Sequence, residues 1–325
     1  EPAGSDATQT SSLEGRVVFM RGDPSEGVLA GEGVTYTVNA DGSDERQLFS
    51  EGGSPGPGWS PDGSEIAIFC CGDGGAAHVI DPESGELRRI PPPDPTLETF
   101  CGVAWSPDGK RLACEVFGVD DPSGNGIYSI RASDGGGLSR ITSNPGGEDI
   151  PGDYSPDGAR IVFTRQRLSH GDPKGALFVA NADGTGLRQI TPFGVPDPDE
   201  VAKWSPDGTE ILFGSATEKL VTVHPDGTGV REISPRTLGK EGIKKLERKL
   251  LKRCRTRSGK KCRTKAAKRA NTRTTGIGFD PGWSPDGKRI VFSHRFRPGG
   301  RVDIYTARSD GTHLVQITDT RAFET

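Results

Sequence analysis

The chain has 325 residues, of which 31% are hydrophobic, and it carries 47 glycines and 25 prolines. This composition favours short strands joined by tight turns over long helices, and the length allows one large domain or two ordinary ones. No run of 18 or more apolar residues occurs, so the sequence predicts no membrane-spanning helix.

The formal net charge of −4 conceals two regions of opposite sign. Residues 236–276 hold 17 Lys and Arg against Glu241 and Glu247, a net charge of +15, which leaves −19 for the rest of the chain. A basic segment inside an acidic chain is typical of a distinct surface element rather than of a buried core.

Residues 1–10, EPAGSDATQT, are small and polar and are predicted to form a solvated tail or a degenerate first strand. The numbering begins at Glu1 and the chain has a single Met. These features are expected of a mature protein whose leader or anchor is removed, and a fragment of a longer protein would share them.

From residue 11 onward the chain repeats itself. The motif WSPDG or YSPDG begins at Trp59, Trp105, Tyr154, Trp204 and Trp283, at intervals of 46, 49, 50 and 79 residues. Each copy leads into an apolar run such as RIVF (160–163), a loop, a second run such as ALFVA (176–180), a DG turn and a closing segment such as LRQIT (187–191). Periods of 40 to 50 residues indicate stacked supersecondary units.

The turn residues predict what each unit is. In S-P-D-G the proline pre-sets φ, the aspartate bonds its own backbone, and the glycine accepts a positive φ, while D-G in the second turn is a hairpin signal. Each unit is therefore two hairpins, or four strands called A to D, and such units repeated radially form a β-propeller. The aromatic residue of the motif is predicted to pack between blades, and its serine and aspartate to be architectural rather than catalytic.

The number of blades follows from the C–D turns. They occur around Asp41, Ser84, Asp134, Asp183, Asp226 and Asp310. Six blades are therefore predicted over residues 11–325, although the motif of the first unit is degraded to SSLE (11–14). Either residues 7–10 supply the missing A strand, or the C-terminal TRAFET (320–325) returns to blade 1; a chain cut short would lack a seventh blade.

The repeat units resemble the WD40-like (PD40) repeats of the TolB family, in WSPDGK-x-I-x-F, in the DG turn and in the closing LT. The resemblance covers nearly all of the chain outside the tail and residues 236–276. It implies an exported, non-enzymatic propeller that docks protein partners, although similar blades occur in tricorn-like cores and prolyl oligopeptidases. The chain departs from the family in showing no N-terminal α/β domain and in carrying the basic insert, so TolB's own partners are not carried over.

Motifs that would indicate chemistry are weak. GGSPG (52–56) matches G-x-S-x-G, but no helix follows it as a nucleophile elbow requires. No C-x-x-C pair occurs, and His78, His170, His224, His294 and His313 show no ligand spacing, so they are expected at the surface or at strand ends. The Asp-rich turns lack EF-hand spacing, so no cofactor is predicted, with bound Ca²⁺ as the alternative.

In a propeller the D–A connections and the B–C loops share one face, which we call the loop-rich face. Along the D–A connections, ten acids are opposed by Lys203 alone. The acids are Glu51, Asp94, Glu98, Glu148, Asp149, Asp153, Asp197, Asp199, Glu200 and Asp280. A rim of one sign favours a cationic partner, and the alternative is that these are ordinary solvated loops.

The basic insert, residues 236–276, enters the same face between blades 5 and 6. Ile243, Leu246, Leu250 and Leu251 lie on one helical stripe that Ser258 and Gly259 interrupt, which predicts a helical hairpin. A disulfide between Cys254 and Cys262 would clasp it. The basic residues offered as partner contacts are Lys244, Lys245, Arg248, Lys252, Arg253, Lys260 and Lys261.

Three roles are open for the insert. The first is a lid over the channel. The second is a contact for a polyanion such as anionic lipid, wall polymer or nucleic acid. The third is a solvated loop without a partner. Nucleic acid is the weakest of these partners, because the segment has no Phe, Tyr or Trp to stack on bases.

The six cysteines permit disulfides without assigning them. Pairing of the A and B strands in blade 3 brings Cys101 close to Cys114 or Glu115, so Cys101 and Cys114 are disulfide candidates. Cys70 or Cys71 of the preceding blade could bridge to Cys101 instead. A disulfide would agree with an exported protein.

The sequence thus predicts an all-β, six-bladed propeller that acts as a monomeric, non-catalytic binding or scaffold protein outside the cytoplasm, in the periplasm, at the cell surface or secreted. It would engage a protein or polyanionic partner through the loop-rich face. The alternative is a propeller enzyme, a lyase or hydrolase, with perturbed carboxylates or histidines at the channel mouth.

Overall fold

The computed structural model describes residues 15–22, 33–50, 57–68, 76–92, 94, 96–118, 120–167, 174–216, 219–233, 278–294, 302–320 and 322–324. These residues form 24 strands arranged in six four-stranded antiparallel sheets. The predicted all-β, six-bladed propeller is confirmed.

The blades follow one another along the chain. The first contains β1 (Arg16–Gly22), β2 (Val34–Asn39), β3 (Arg46–Phe49) and the last strand, β24 (Phe323–Glu324). The second contains β4 (Gly58–Trp59), β5 (Ile66–Ile68), β6 (Ala77–Ile80) and β7 (Leu87–Ile90). The third contains β8 (Leu97–Trp105), β9 (Arg111–Gly118), β10 (Gly126–Arg131) and β11 (Ser139–Arg140).

The remaining three blades have the same order. The fourth contains β12 (Gly147–Tyr154), β13 (Arg160–Arg167), β14 (Lys174–Asn181) and β15 (Arg188–Gln189). The fifth contains β16 (Pro198–Trp204), β17 (Ile211–Ser215), β18 (Lys219–Val223) and β19 (Arg231–Ile233). The sixth contains β20 (Gly278–Trp283), β21 (Arg289–His294), β22 (Asp303–Arg308) and β23 (Val315–Gln316).

The A strands are innermost. Strands β4, β8, β12, β16 and β20 contact one another in sequence around the axis, and each is the edge strand of its sheet. The D strands therefore lie at the outside of the ring.

The aromatic residue of each motif packs between two blades, as predicted. Trp105 lies in one cluster with Ala67 and Val79 of the second blade, and Trp204 lies with Val162 of the fourth. The indole N–H of Trp105 donates to the Gly58 carbonyl of the preceding blade at 3.1 Å. Burial of large apolar side chains at these interfaces holds the ring together.

The SPDG serine and aspartate are occupied within the turn. The buried Ser205 hydroxyl donates to Asp207 Oδ1 at 2.7 Å and accepts from the Glu210 N–H at 2.9 Å. The same hydroxyl-to-carboxylate bond occurs in the other four copies. The structural role predicted for these two side chains in the turn is confirmed.

The ring closes through the C-terminus. Strand β24 pairs antiparallel with β1, with Glu324 opposite Arg21 and Phe323 opposite Gly22. This confirms the second of the two closures considered; residues 7–10 lie outside the described residues.

One predicted disulfide is confirmed. Cys101 and Cys114 are directly opposite in β8 and β9 and are bonded to each other, with their Cα atoms 4.3 Å apart. Cys70, Cys71, Cys254 and Cys262 lie outside the described residues, so their pairing stays a prediction.

The helical insert lacks support. The described residues contain one 3-10 turn, Pro122–Gly124, and no α-helix, while residues 236–276 and the tail 1–10 lie outside them. The helical hairpin therefore stays a prediction. Within the described part of the chain, no helix has the length and apolar character needed to cross a bilayer.

Candidate functional site

The two faces of the propeller are distinguished by their connections. The A–B and C–D turns lie together on one face, which we call the turn face, because the Ala182 N–H donates to the Ala159 carbonyl at 2.9 Å. On the opposite, loop-rich face the D–A connection meets the start of the C strand, as the Gly194 N–H does when it donates to the Gly175 carbonyl at 2.8 Å.

The predicted rim acids are spread over the inner strands and the connections. Asp94 and Asp197 lie in connections, Glu98 on β8, Glu148, Asp149 and Asp153 on β12, Asp199 and Glu200 on β16, and Asp280 on β20. Glu51 lies outside the described residues, as do the basic candidates from Lys244 to Lys261 and the side chains of Asp199 and Glu200. The structure thus places these acids at different distances from the loop-rich face.

Asp153 does not belong to the rim. Strand β12 runs from Gly147 at the loop-rich face to Tyr154 at the turn face, and an eight-residue strand is about 25 Å long. Asp153 is therefore at the turn-face end. The rim assignment was wrong for this residue because a segment predicted as connection is mostly inner strand.

Asp149 is held in a buried ion pair. Its carboxylate accepts from Arg165 Nε at 2.7 Å and Nη2 at 2.6 Å, and from the amide of Asn144 at 3.0 Å. The Arg165 guanidinium also lies 5.0 Å from the centroid of the Phe178 ring. A bidentate pair of this kind fixes both side chains.

Asp197 is also paired. It accepts from Lys174 Nζ at 3.2 Å and from the Gly175 N–H at 2.9 Å. Lys174 belongs to strand β14 and Arg165 to strand β13. A charge count that covers only the D–A connections leaves these two basic residues out. The expectation of a rim of one sign is therefore wrong at blade 4.

The other described rim acids have different surroundings. The Asp94 carboxylate accepts from the Thr96 N–H at 2.9 Å and its hydroxyl at 2.7 Å, and these bonds lower the pKa of Asp94. Glu98 is exposed, and Asp280 has a φ of +44°.

Blade 4 presents an arginine and an aromatic ring that sequence reasoning missed. The Arg167 guanidinium carbon lies 3.9 Å from the centroid of the Phe193 ring, and that ring lies 6.0 Å from the Phe178 ring. Val195 follows in the same connection, 69% exposed. We call Arg167, Phe193 and Val195 the blade-4 patch. The pairing of Arg167 with Phe193 joins β13 to a connection 26 residues away, which no local pattern predicts.

Asp153 and Lys203 connect the inner strands of blades 4 and 5. Lys203 Nζ donates to the Gly152 carbonyl at 3.1 Å, and the Trp204 N–H donates to Asp153 Oδ2 at 3.1 Å. Burial raises the pKa of Asp153 to about 6, against the opposing effect of the Lys203 charge. Asp153 is half-buried, so part of its surface stays open to solvent.

The prediction that most histidines lie at the surface or at strand ends holds for the described residues, since His294 is the last residue of β21 and two others are exposed. His78 and His294 are buried, because the B and C strands that carry them are covered on both faces by neighbouring blades. His224 and His313 are exposed, and His170 lies outside the described residues. In the described residues, no three His, Cys, Asp or Glu side chains are grouped so that they could hold a metal ion.

The six blades, their innermost A strands and the closing C-terminal strand define a TolB-type six-bladed β-propeller fold. A crystal structure of TolB from Acinetobacter baumannii has a TM-score of 0.65 at 17% identity over 96% of this chain and 66% of that one. An oligogalacturonate lyase from Vibrio parahaemolyticus has a TM-score of 0.52 at 14% identity over 93% and 74% of the two chains. These likenesses show the fold.

Similarity in sequence is more limited. No protein-family model matches the chain. An uncharacterised protein of Agrobacterium fabrum is 29% identical over 213 residues, which are 63% of this chain and 66% of that protein. The chain thus spans just under two thirds of the length of both this relative and the TolB structure.

Proposed function

We propose that the protein is a non-catalytic binding protein that acts outside the cytoplasm and docks a protein partner through the loop-rich face, with the blade-4 patch at the centre of the contact. The observation that carries the proposal is the exposed Val195, two residues along the chain from Phe193, on whose ring Arg167 is stacked.

The patch has the composition of a binding hot spot. Arginine and aromatic side chains are enriched at such sites, where a few residues supply most of the affinity. Stacking on Phe193 holds Arg167 in place before a partner arrives, which lowers the entropic cost of binding. The partner that suits this patch presents an apolar side chain next to a carboxylate.

Two observations support a location outside the cytoplasm. The described disulfide joins Cys101 to Cys114, and structural disulfides are rare in reducing compartments. The fold is that of TolB, which the sequence resembles in its repeats. A polyanionic partner of the insert is a separate prediction, because residues 236–276 lie outside the described residues.

The test is affinity capture from the envelope fraction of the source organism. We expect Val195→Asp and Arg167→Ala to lose at least tenfold of the captured partner, because each removes a central contact. Val315→Asp is the matched control: Val315 is 39% exposed on the outer strand of blade 6, far from the patch. Equal capture by all three variants would contradict the proposal.

A second candidate is an enzyme with its site at the opposite, turn-face end of the channel, which the raised pKa of Asp153 beside Lys203 favours. A carboxyl group with a pKa near 6 is suited to general acid or base catalysis at neutral pH. The lyase likeness supplies a substrate to try. Wild-type protein and Asp153→Asn would be incubated with oligogalacturonate, and absorbance of the unsaturated product would be followed; turnover by the wild type alone would favour the enzyme.

A further inference from the structure

A groove of about 510 Å³ lies on the turn face between blades 4 and 5. Arg160, Arg188 and His224 line it, and Asp226 is its one acidic lining residue in the described part of the chain. This groove is on the opposite face from the blade-4 patch, and nothing in the proposed function uses it.

The blade repeat shows what is unusual about this groove. Six residues after the motif aromatic, blades 2 and 5 carry Glu65 and Glu210, and each pairs with an arginine of its own D strand. Arg88 Nη2 lies 2.6 Å from Glu65 Oε1, and Arg231 Nη2 lies 3.3 Å from Glu210 Oε1.

Blade 4 has two arginines at these two positions. Arg160 follows Tyr154 by six residues, and Arg188 occupies the D-strand register of Arg88, opposite Val179 as Arg88 is opposite Val79. Two like charges replace an ion pair. Like charges placed together repel, so the arrangement is stabilised when an anion lies between them.

The Arg160 guanidinium has hydrogen-bond donors to spare. The arginines at the same position in other blades donate to protein acceptors, as Arg16 does to Asp44 and Arg111 does to Ser129. The Arg160 guanidinium donates to no residue in the described ranges. It lies instead 4.7 Å from the Trp204 ring, which fixes its position.

With Arg160 and Arg188 against Asp226, the lining of the groove carries one more positive than negative charge. Arg188 donates from Nη2 to the Pro225 carbonyl at 3.0 Å, and its other N–H groups donate to no residue in the described ranges, although its charge attracts Asp226. The acid in the lining, Asp226, already accepts from the Thr228 N–H at 2.8 Å and hydroxyl at 2.6 Å. Asp157, which attracts Arg160 electrostatically, likewise accepts from Ser155 and Ala159.

We propose that this groove binds the phosphate group of a small molecule, with Arg160 and Arg188 donating to the phosphate oxygens. The planar fork of a guanidinium matches two oxygens of a phosphate, and a volume of about 510 Å³ accommodates a ligand of sugar-phosphate size.

The test is calorimetric titration of the whole chain with glucose 1-phosphate, and with glucose and glucuronate as probes lacking the phosphate. We expect heat of binding for glucose 1-phosphate and none for glucose. Arg160→Glu rebuilds the ion pair of blades 2 and 5, so we expect it to fold with an unchanged Tm and to bind at least tenfold more weakly. Lys110→Glu makes the same charge reversal on a turn-face lysine of blade 3, and we expect less than a twofold change.

Four results would overturn the proposal. Wild-type protein could show no binding of glucose 1-phosphate up to millimolar concentration. Arg160→Glu could bind as tightly as the wild type, or Lys110→Glu could weaken binding as much as Arg160→Glu does. Finally, equal binding of glucuronate would exclude a preference for phosphate over carboxylate.

Discussion

Asp153 and Asp286 show how surroundings move the same group in opposite directions. Burial raises the pKa of Asp153 from an ordinary 3.8 to about 6. The pKa of Asp286 falls to about 2, chiefly because the Ser284 hydroxyl donates to it and then because the Lys288 N–H does. One aspartate is disfavoured as an anion and the other is favoured.

The free energy of unfolding of the wild type should therefore depend on pH through the titration of Asp153. A raised pKa in the folded state contributes stability below about pH 4 that is lost as pH rises through about 6. We expect Asp153→Asn to gain up to about 3 kcal/mol in free energy of unfolding relative to the wild type between pH 4 and pH 8. Urea unfolding at both pH values measures this difference.

Asp286→Asn is the control for that prediction. Its lowered pKa contributes stability above about pH 4 that is lost as pH falls through about 2, so the substitution should destabilise the protein at pH 8. A difference between Asp153→Asn and the wild type that stays constant across this pH range would contradict the assignment to Asp153.

At the scale of the element, the C–D turn is also a contact between blades. Gly227 has a φ of +83°, and a Cβ built there would meet the Ile190 carbonyl of the preceding blade at 2.7 Å. Gly63, in an A–B turn, has a φ of +72° with open space around it. The two glycines share a backbone conformation and differ in what lies beside them.

This difference can be measured by matched substitutions. Gly63→Ala should cost about 1–2 kcal/mol for the left-handed backbone alone, whereas Gly227→Ala should cost about 1–3 kcal/mol more because the methyl group overpacks the blade interface. Thermal or urea unfolding of the two variants gives the comparison. Equal losses would mean that the turn does not hold the neighbouring blade.

At the scale of the whole molecule, closure depends on a strand of two residues. The buried Glu324 carboxylate accepts from Arg21 Nε at 2.8 Å and from the Thr320 hydroxyl at 2.8 Å, and Thr318 donates to it as well. The same arginine pairs with the more exposed Glu45. A few buried polar contacts therefore join the two ends of the ring.

Glu324→Ala should cost about 3–5 kcal/mol, because it leaves the partly buried Arg21 without its inner partner. Glu45→Ala removes the outer partner of the same arginine and should cost at most about 1 kcal/mol. Unfolding free energies and limited proteolysis would compare them. Similar losses for both variants would show that the closing strand is not held by Glu324.

Structure that depends on short-range interactions along the chain could be predicted from the sequence, and structure that depends on long-range contacts could not. The blades were determined by the sequence alone, since S-P-D-G and D-G act within five residues of chain and the apolar runs between them need only neighbours on both sides. The same local pairing made Cys101–Cys114 a candidate bond, and the structure chose it over a bridge from Cys70 or Cys71. The candidate site was less predictable: the partners of Asp149 and Asp197 came from strands that a count of loop charges left out.

The tertiary structure alone decided which distant groups meet. In the folded ring the C-terminal strand is the closing strand, and Asp153 lies at the turn face. Arg167 stacks on Phe193, and Arg160 and Arg188 line one groove. Each of these depends on how strands align across a sheet or across a blade interface. Alignment is set by the packing of the whole ring, and so no single stretch of the sequence contains it.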